Sequence, residues 1–426
     1  MKKYFLQFII LSTLYIIMCN EKRVVKQTHY EFDLTFNPVA QKVNVQGQMI
    51  IPLDNDTANQ IDFYLHRQLN VSNLELNGKK HFELCKDTSD IRYMPDAIKY
   101  TLKSPESFNK KARISFKYSG KITQWHKWSA SVIGKEWTEM ACYFPWYPYH
   151  MQFRPFTYQV DITPIKDYNI FLMGQKNRVD DGIRFKTPYP TNDIVVCASK
   201  NLKTIKHELG NFTFKLAYTT LSDTLINTLS ADVKKILTTY NQWFIASDTS
   251  ICLIESMREK GGAYARKGGM YLTDLNKTAY FDRRKRYMRY LSHEISHLWW
   301  YRANTNSWED WLNEGFAEYS ALMIIRDQYG QDYFQSWIDH KKKQMKATEP
   351  IWHCDRNSKN AYTILYSKAP VLIYQLEQKI GKKAFNKLIQ TMQKKEVATT
   401  RQFLILLEDQ EGSKIKEWFK NQLMNA

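Results

Sequence analysis

The residues best suited to chemistry lie in one short stretch, His293-Glu294-Ile295-Ser296-His297. Histidines four apart on an α-helix share a face about one turn apart, so both imidazoles can reach a single metal ion. Glu294 sits beside the first histidine, placed to act on the attacking water rather than to bind the metal. Hydrolytic zinc sites recur with three protein ligands, His2Glu among the known sets, and keep a fourth position for water. Two carboxylates can complete such a set, Glu314 and Glu318, both within Trp311-Leu312-Asn313-Glu314-Gly315-Phe316-Ala317-Glu318-Tyr319. The chemistry implied is hydrolysis assisted by one Zn2+ ion. The plain alternative makes the two histidines ordinary helix residues with Leu298, Trp299 and Trp300 packing a core, and leaves both glutamate contexts to coincidence.

Elements able to hold these groups are legible in outline. From Thr28 to Thr219 the chain alternates over short runs, as in Tyr30-Glu31-Phe32-Asp33-Leu34-Thr35-Phe36 and Arg113-Ile114-Ser115-Phe116-Lys117-Tyr118, with turn signals at Asn77-Gly78 and Ser119-Gly120. A period of two with such turns predicts an antiparallel β domain over 28–219. After Leu221-Ser222-Asp223 the period lengthens, and residues 220–426 are expected to be mostly helical, with Ser222 or Asp223 as the first N-cap. Thr249 to Ile254 reads as a strand before the motif helix, and Gly330, Gly381 and Gly412 mark helix breaks. The fold class expected is α+β.

At 426 residues, with 43% hydrophobic and 24% charged residues, the chain has the composition of a globular protein of two or three domains. A formal net charge of +18 raises acidic partners, but lysine is spread along the length. The densest run, Arg283-Arg284-Lys285-Arg286, reads first as a solvated helix face, and no nucleic-acid motif accompanies it. Met1-Lys2-Lys3 followed by the apolar stretch Tyr4–Met18 has the form of an export leader, so residues 1–19 are assigned to a signal or lipoprotein-like segment. Cys19 raises lipid attachment to a membrane; a periplasmic or extracellular product is the other expectation. The remaining cysteines, Cys85, Cys142, Cys197, Cys252 and Cys354, lack C-x-x-C spacing and are expected to be mostly buried thiols, with room for one disulfide that the sequence cannot pair.

Taken together, His293-Glu294-x-x-His297 and the Trp311-Leu312-Asn313-Glu314-Gly315-Phe316-Ala317 run resemble the M1 metallopeptidases, the gluzincin family of the aminopeptidase N and leukotriene A4 hydrolase type. The resemblance covers both halves and implies an N-terminal β-saddle followed by a thermolysin-like catalytic domain. The sequence reads as a short form, ending at Ala426 where many relatives continue into a helical C-terminal domain. Glu314 is then the third zinc ligand. Glu318, one turn on, either supports a ligand histidine or belongs to a solvated helix face. The gap between His297 and Glu314 holds 16 residues, two fewer than is usual, and the shortening falls in the loop-like Ala303-Asn304-Thr305-Asn306-Ser307.

The same resemblance assigns Tyr366, in Tyr366-Ser367-Lys368-Ala369, to the oxyanion, with Ala369 where a glycine is usual. It matches Gly262-Ala263-Tyr264-Ala265-Arg266 to the substrate-binding Gly-Ala-Met-Glu-Asn segment, so Gly262 and Ala263 would present backbone to a peptide while Ala265 replaces the glutamate that holds its amino group. Glu139 is the other candidate amine anchor, against a plain surface glutamate. The expected function is zinc-dependent peptide hydrolysis, aminopeptidase-like, with an endopeptidase and a non-catalytic zinc-stabilised surface protein as alternatives. Peptides are the expected partners.

Overall fold

The computed structural model describes residues 27–425, apart from segments 54–57, 89–93, 125–130, 151–154, 210–211, 246–250, 258–263 and 346–347 and single residues 109, 188, 267, 274, 276, 306 and 357. The leader and Cys19 therefore lie outside the described residues. Contacts group the chain into two units: residues 1–125, 141–165 and 174–194 in the first, and residues 126–140, 166–173 and 195–426 in the second.

Alternation builds the first unit. In His29–Asn37 the side chains of Tyr30, Phe32, Leu34 and Phe36 are buried while Glu31, Asp33 and Thr35 face water, as a pleat with one dry face requires. Seven strands follow in the order Gln175–Val179, Gly182–Lys186, Thr157–Ile162, His29–Asn37, Lys42–Pro52, Lys111–Lys121 and Leu69–Leu76. The sheet is antiparallel except between His29–Asn37 and Thr157–Ile162, which run parallel. Parallel neighbours need a long connection, and more than a hundred residues separate these two, which local alternation could not reveal.

His66, fully buried in this unit, illustrates how it is pinned. Its Nδ1 accepts from the Gln68 N–H at 3.2 Å, so its Nε2–H donates to the Gln124 carbonyl at 3.2 Å and the ring is held neutral. Burial, opposed only in part by Asp96, pushes its pKa down to about 4. The unfolded chain takes up this proton near pH 6.5 and the folded one does not, so stability is full above that pH and is lost as pH falls toward 4. We expect a loss of about 2 kcal/mol between pH 7 and pH 5 in urea titrations, absent from His66→Gln. Equal losses in the two proteins would contradict it.

The second unit contains the switch from strands to helices. A four-stranded sheet, in the order Asn169–Leu172, Val196–Ser199, Thr138–Met140 and Val132–Ile133, belongs to it. So does a five-stranded sheet, in the order Lys203–Leu209, Phe212–Tyr218, Ile251–Glu255, Gly269–Leu272 and Tyr264–Arg266. Helix α1 (Asp223–Trp243) starts at an N-cap in which Ser222 accepts from the Leu225 N–H. It is followed by α2 (Lys277–Asp282), α3 (Arg284–Ser296), α4 (Trp311–Tyr329), α5 (Gln331–Gln344), α6 (Ala369–Ile380), α7 (Lys382–Lys394), α8 (Thr400–Glu411) and α9 (Ser413–Met424). Gly330, Gly381 and Gly412 join successive helices at φ of 83–87°, a region costly for other residues. α4 is buried along most of its length and forms the centre of the helical core. The basic run that opens α3 is exposed: Arg284 pairs with Asp232, and Lys285 lies over the rings of Tyr329 and Tyr333. Cys197, Cys252 and Cys354 are buried thiols.

Candidate active site

The helical register of α3 persists through both histidines, because His297 caps the helix with φ −63° and ψ −8°. The imidazoles stand 5.0 Å apart at 85°. Their Nε2 atoms lie 3.3 Å (His293) and 3.7 Å (His297) from Glu314 Oε2. Donors 2.0–2.2 Å from a tetrahedrally bound zinc are separated by roughly 3.3–3.6 Å, so the three atoms fit one such ion. Glu314 Oε2 is buried without a hydrogen-bond donor, a costly arrangement that a cation would relieve. Among the described residues, His293, His297 and Glu314 form the group of side chains that could hold a metal.

The outer faces of both rings are fixed. Nδ1 of His293 lies 3.0 Å from Glu318 Oε2, and Nδ1 of His297 lies 2.8 Å from the Trp300 carbonyl. Neither oxygen can donate, so each Nδ1 carries a proton, and Nε2, turned toward Glu314, is the nitrogen left to take up a metal. Glu318 is thus placed behind the ligand histidine, away from the point where the three donors converge. It is buried and anchored by Arg289 at 2.5 Å and Lys341 at 2.6 Å. Burial would raise its pKa, but those two cations hold it well below the usual range. Burial would likewise lower His293, yet the carboxylates of Glu314 and Glu318 on either side of its ring win and raise it to about 10, so its Nε2 favours a cation, a proton or the metal that would replace it. The centre carries an excess of carboxylate that calls for a positive partner.

The shortened gap is compatible with this geometry for a visible reason. Asn313 donates to the Ala303 carbonyl at 3.0 Å and accepts from the Ala303 N–H at 3.1 Å, clamping the loop to the first turn of α4. Asn313 also donates to Asp310, which Arg356 holds at 2.8 Å. Glu314, next in sequence, inherits its position from this clamp. Gly315 then permits close packing: a Cβ there would stand 2.8 Å from that of Ala369.

Glu294 is half-buried beside its histidine. Burial raises its pKa; His293 and His297 oppose this, while Glu314 and Glu318 reinforce it. Tyr366 lies in a π-helical turn, Ile364–Lys368, immediately before α6. The turn follows from Pro370, which has no N–H to offer the Tyr366 carbonyl four residues back and would clash with it in a regular helix. The Tyr366 ring stacks at 5.6 Å on His293 and at 4.5 Å on Tyr362. Burial, then the charge of Glu314 and a hydrogen bond to it, hold the phenol well above its usual pKa, so it remains a donor.

Substrate-binding candidates fare differently. Glu139 is 1% exposed, and its carboxylate accepts from Trp137 Nε1 at 3.0 Å, Ser256 Oγ at 2.8 Å and Tyr264 Oη at 2.6 Å. That corrects the plain surface reading: the carboxylate is buried, and three side chains donate to it. Tyr264–Arg266 forms the last strand of its sheet, as a docking edge would, with Ala265 partly buried. Gly262 and Ala263 lie outside the described residues. Arg289, Lys341 and the Trp300 carbonyl were missed in the sequence, where a lysine on an amphipathic helix carries no signal of its partner.

The fold and this geometry agree with what the chain is similar to. Residues 254–422, within the second unit, match the Peptidase family M1 domain. A stretch of 118 residues is 32% identical to Leucine aminopeptidase 2 of Pyricularia oryzae, spanning 23% of this chain and only 19% of that relative. The M1 zinc metallopeptidase of Deinococcus radiodurans superposes with a TM-score of 0.69 at 15% identity, covering 93% of this chain and 94% of that one. Leukotriene A4 hydrolase of Saccharomyces cerevisiae gives a TM-score of 0.68 at 16% identity, covering 97% and 72%.

Proposed function

We propose that the protein is a zinc metallopeptidase, aminopeptidase-like, in which His293, His297 and Glu314 hold the ion. The convergence of two Nε2 atoms and one buried carboxylate oxygen carries this reading. Bound there, zinc supplies Lewis-acid polarisation and activation of water. Glu294 accepts the proton of the attacking water and passes it to the leaving amine, a role helped by the upward push of burial on its pKa. The Tyr366 hydroxyl donates to the developing oxyanion. Glu318 and the Trp300 carbonyl keep the two imidazoles in the ligating tautomer. The strand Tyr264–Arg266 offers its backbone to an extended peptide.

A second reading, cleavage that does not require a free α-amine, is favoured by Glu139, whose oxygens already accept from three side chains. Rates on matched peptides with free and N-acetylated ends separate the two. The aminopeptidase reading expects acetylation to lower kcat/KM by about 100-fold, as loss of a charge-assisted anchor of roughly 3 kcal/mol would; equal rates establish the second. Chelation should abolish turnover of either peptide, and zinc should restore it.

Export is part of the same proposal. The charged start and apolar stretch of Met1–Met18 support it, with attachment at Cys19 as its membrane-bound form. No helix among the described residues is long and apolar enough to cross a membrane.

A further inference from the structure

Lys341 is 4% exposed, an expensive place for an ammonium group unless its donors are used. They are used twice on the two sides of the site. Nζ lies 2.6 Å from Glu318 Oε1, whose other oxygen holds His293, and 2.6 Å from the carbonyl oxygen of Tyr366. That carbonyl is the one Pro370 leaves without its usual donor four residues on. A second side chain of α5 fastens the same π-helical turn, Gln344 accepting from Ser367 Oγ at 2.7 Å. α5 therefore braces the backbone that carries the Tyr366 hydroxyl, and through Lys341 it also touches the carboxylate that aims a ligand histidine.

We propose that Lys341 is a positioning residue, a single cation that sets the Tyr366 hydroxyl and the His293–Glu318 pair in register with each other. This rests on the peptidase reading for its kinetic half only. The neighbouring cation Arg289 holds Glu318 as well, and both cations lie over the Trp337 ring; the bond from this group to the Tyr366 carbonyl is that of Lys341.

The test uses the full chain. Lys341→Met should lower kcat by about 10- to 100-fold with KM changed less than about threefold, and weaken zinc binding in chelator competition by about tenfold. In a Tyr366→Phe background the same substitution should cost less than about threefold in kcat, because the hydroxyl it positions is gone, while the loss of zinc affinity persists. Lys341→Arg, which keeps charge and donors, should recover most of both. An unchanged kcat, an unchanged zinc affinity, or losses from Lys341→Met and Tyr366→Phe that multiply in full would each overturn the proposal. If Lys341→Met does not fold, Lys341→Gln is read in the same cycle by the same criteria. Should the wild-type chain cleave no peptide, the peptidase reading fails, and the zinc affinities alone decide on Lys341.

Discussion

Glu294→Gln is expected to retain a full equivalent of zinc and to lose peptide turnover by about 100- to 10,000-fold. The substitution keeps the shape of the side chain and removes only its capacity to take and return a proton. Zinc should stay because the three converging donors are His293, His297 and Glu314, and because the partners that aim the imidazoles, Glu318 and the Trp300 carbonyl, are untouched. Metal analysis of the purified variant beside its kcat checks both halves. Full turnover would remove Glu294 from the mechanism, and loss of zinc would mean that it binds or positions the ion.

Tyr366→Phe should lower kcat by about 100- to 1,000-fold, the cost of removing one oxyanion donor, while leaving zinc content and KM close to those of the wild type. The ring itself is retained, so its stacking on His293 at 5.6 Å should survive and the π-helical turn should keep its fold. Tyr362→Phe is the matched control: its ring stacks on Tyr366, but the residue is 71% exposed and its hydroxyl has no place in the chemistry proposed. Equal losses from the two substitutions would show that the Tyr366 hydroxyl has no special part in the chemistry.

These predictions draw on residues legible at very different ranges. His293, Glu294 and His297 are local: an i, i+4 pair on one helix shares a face wherever the helix is packed. Glu314 needed a choice against Glu318 that spacing could not make, since both follow on one helix. The structure separates them by the ring atom each one meets, Nε2 for Glu314 and Nδ1 for Glu318. Tyr366 was found by resemblance, yet Pro370 four residues later marks a disrupted turn in the sequence itself. Glu139 shows the opposite limit. Nothing local reveals that Ser256 and Tyr264, more than a hundred residues away, occupy its oxygens. Contacts also carry the segments 126–140 and 166–173 into the second unit, across the division suggested by the change of period near residue 220.

By itself, the sequence determined the α+β class, the helix that pairs two histidines with a glutamate, and the elements flanking it, because periodicity, capping and turn chemistry act within a few residues. Tertiary structure alone decided which carboxylate faces the two Nε2 atoms, which glutamate is already bound by its neighbours, and which lysine joins both sides of the site. Each of those is a question of which groups meet after the chain has closed long loops and buried its charges, and a buried charge is held by whatever partner the packing brings to it.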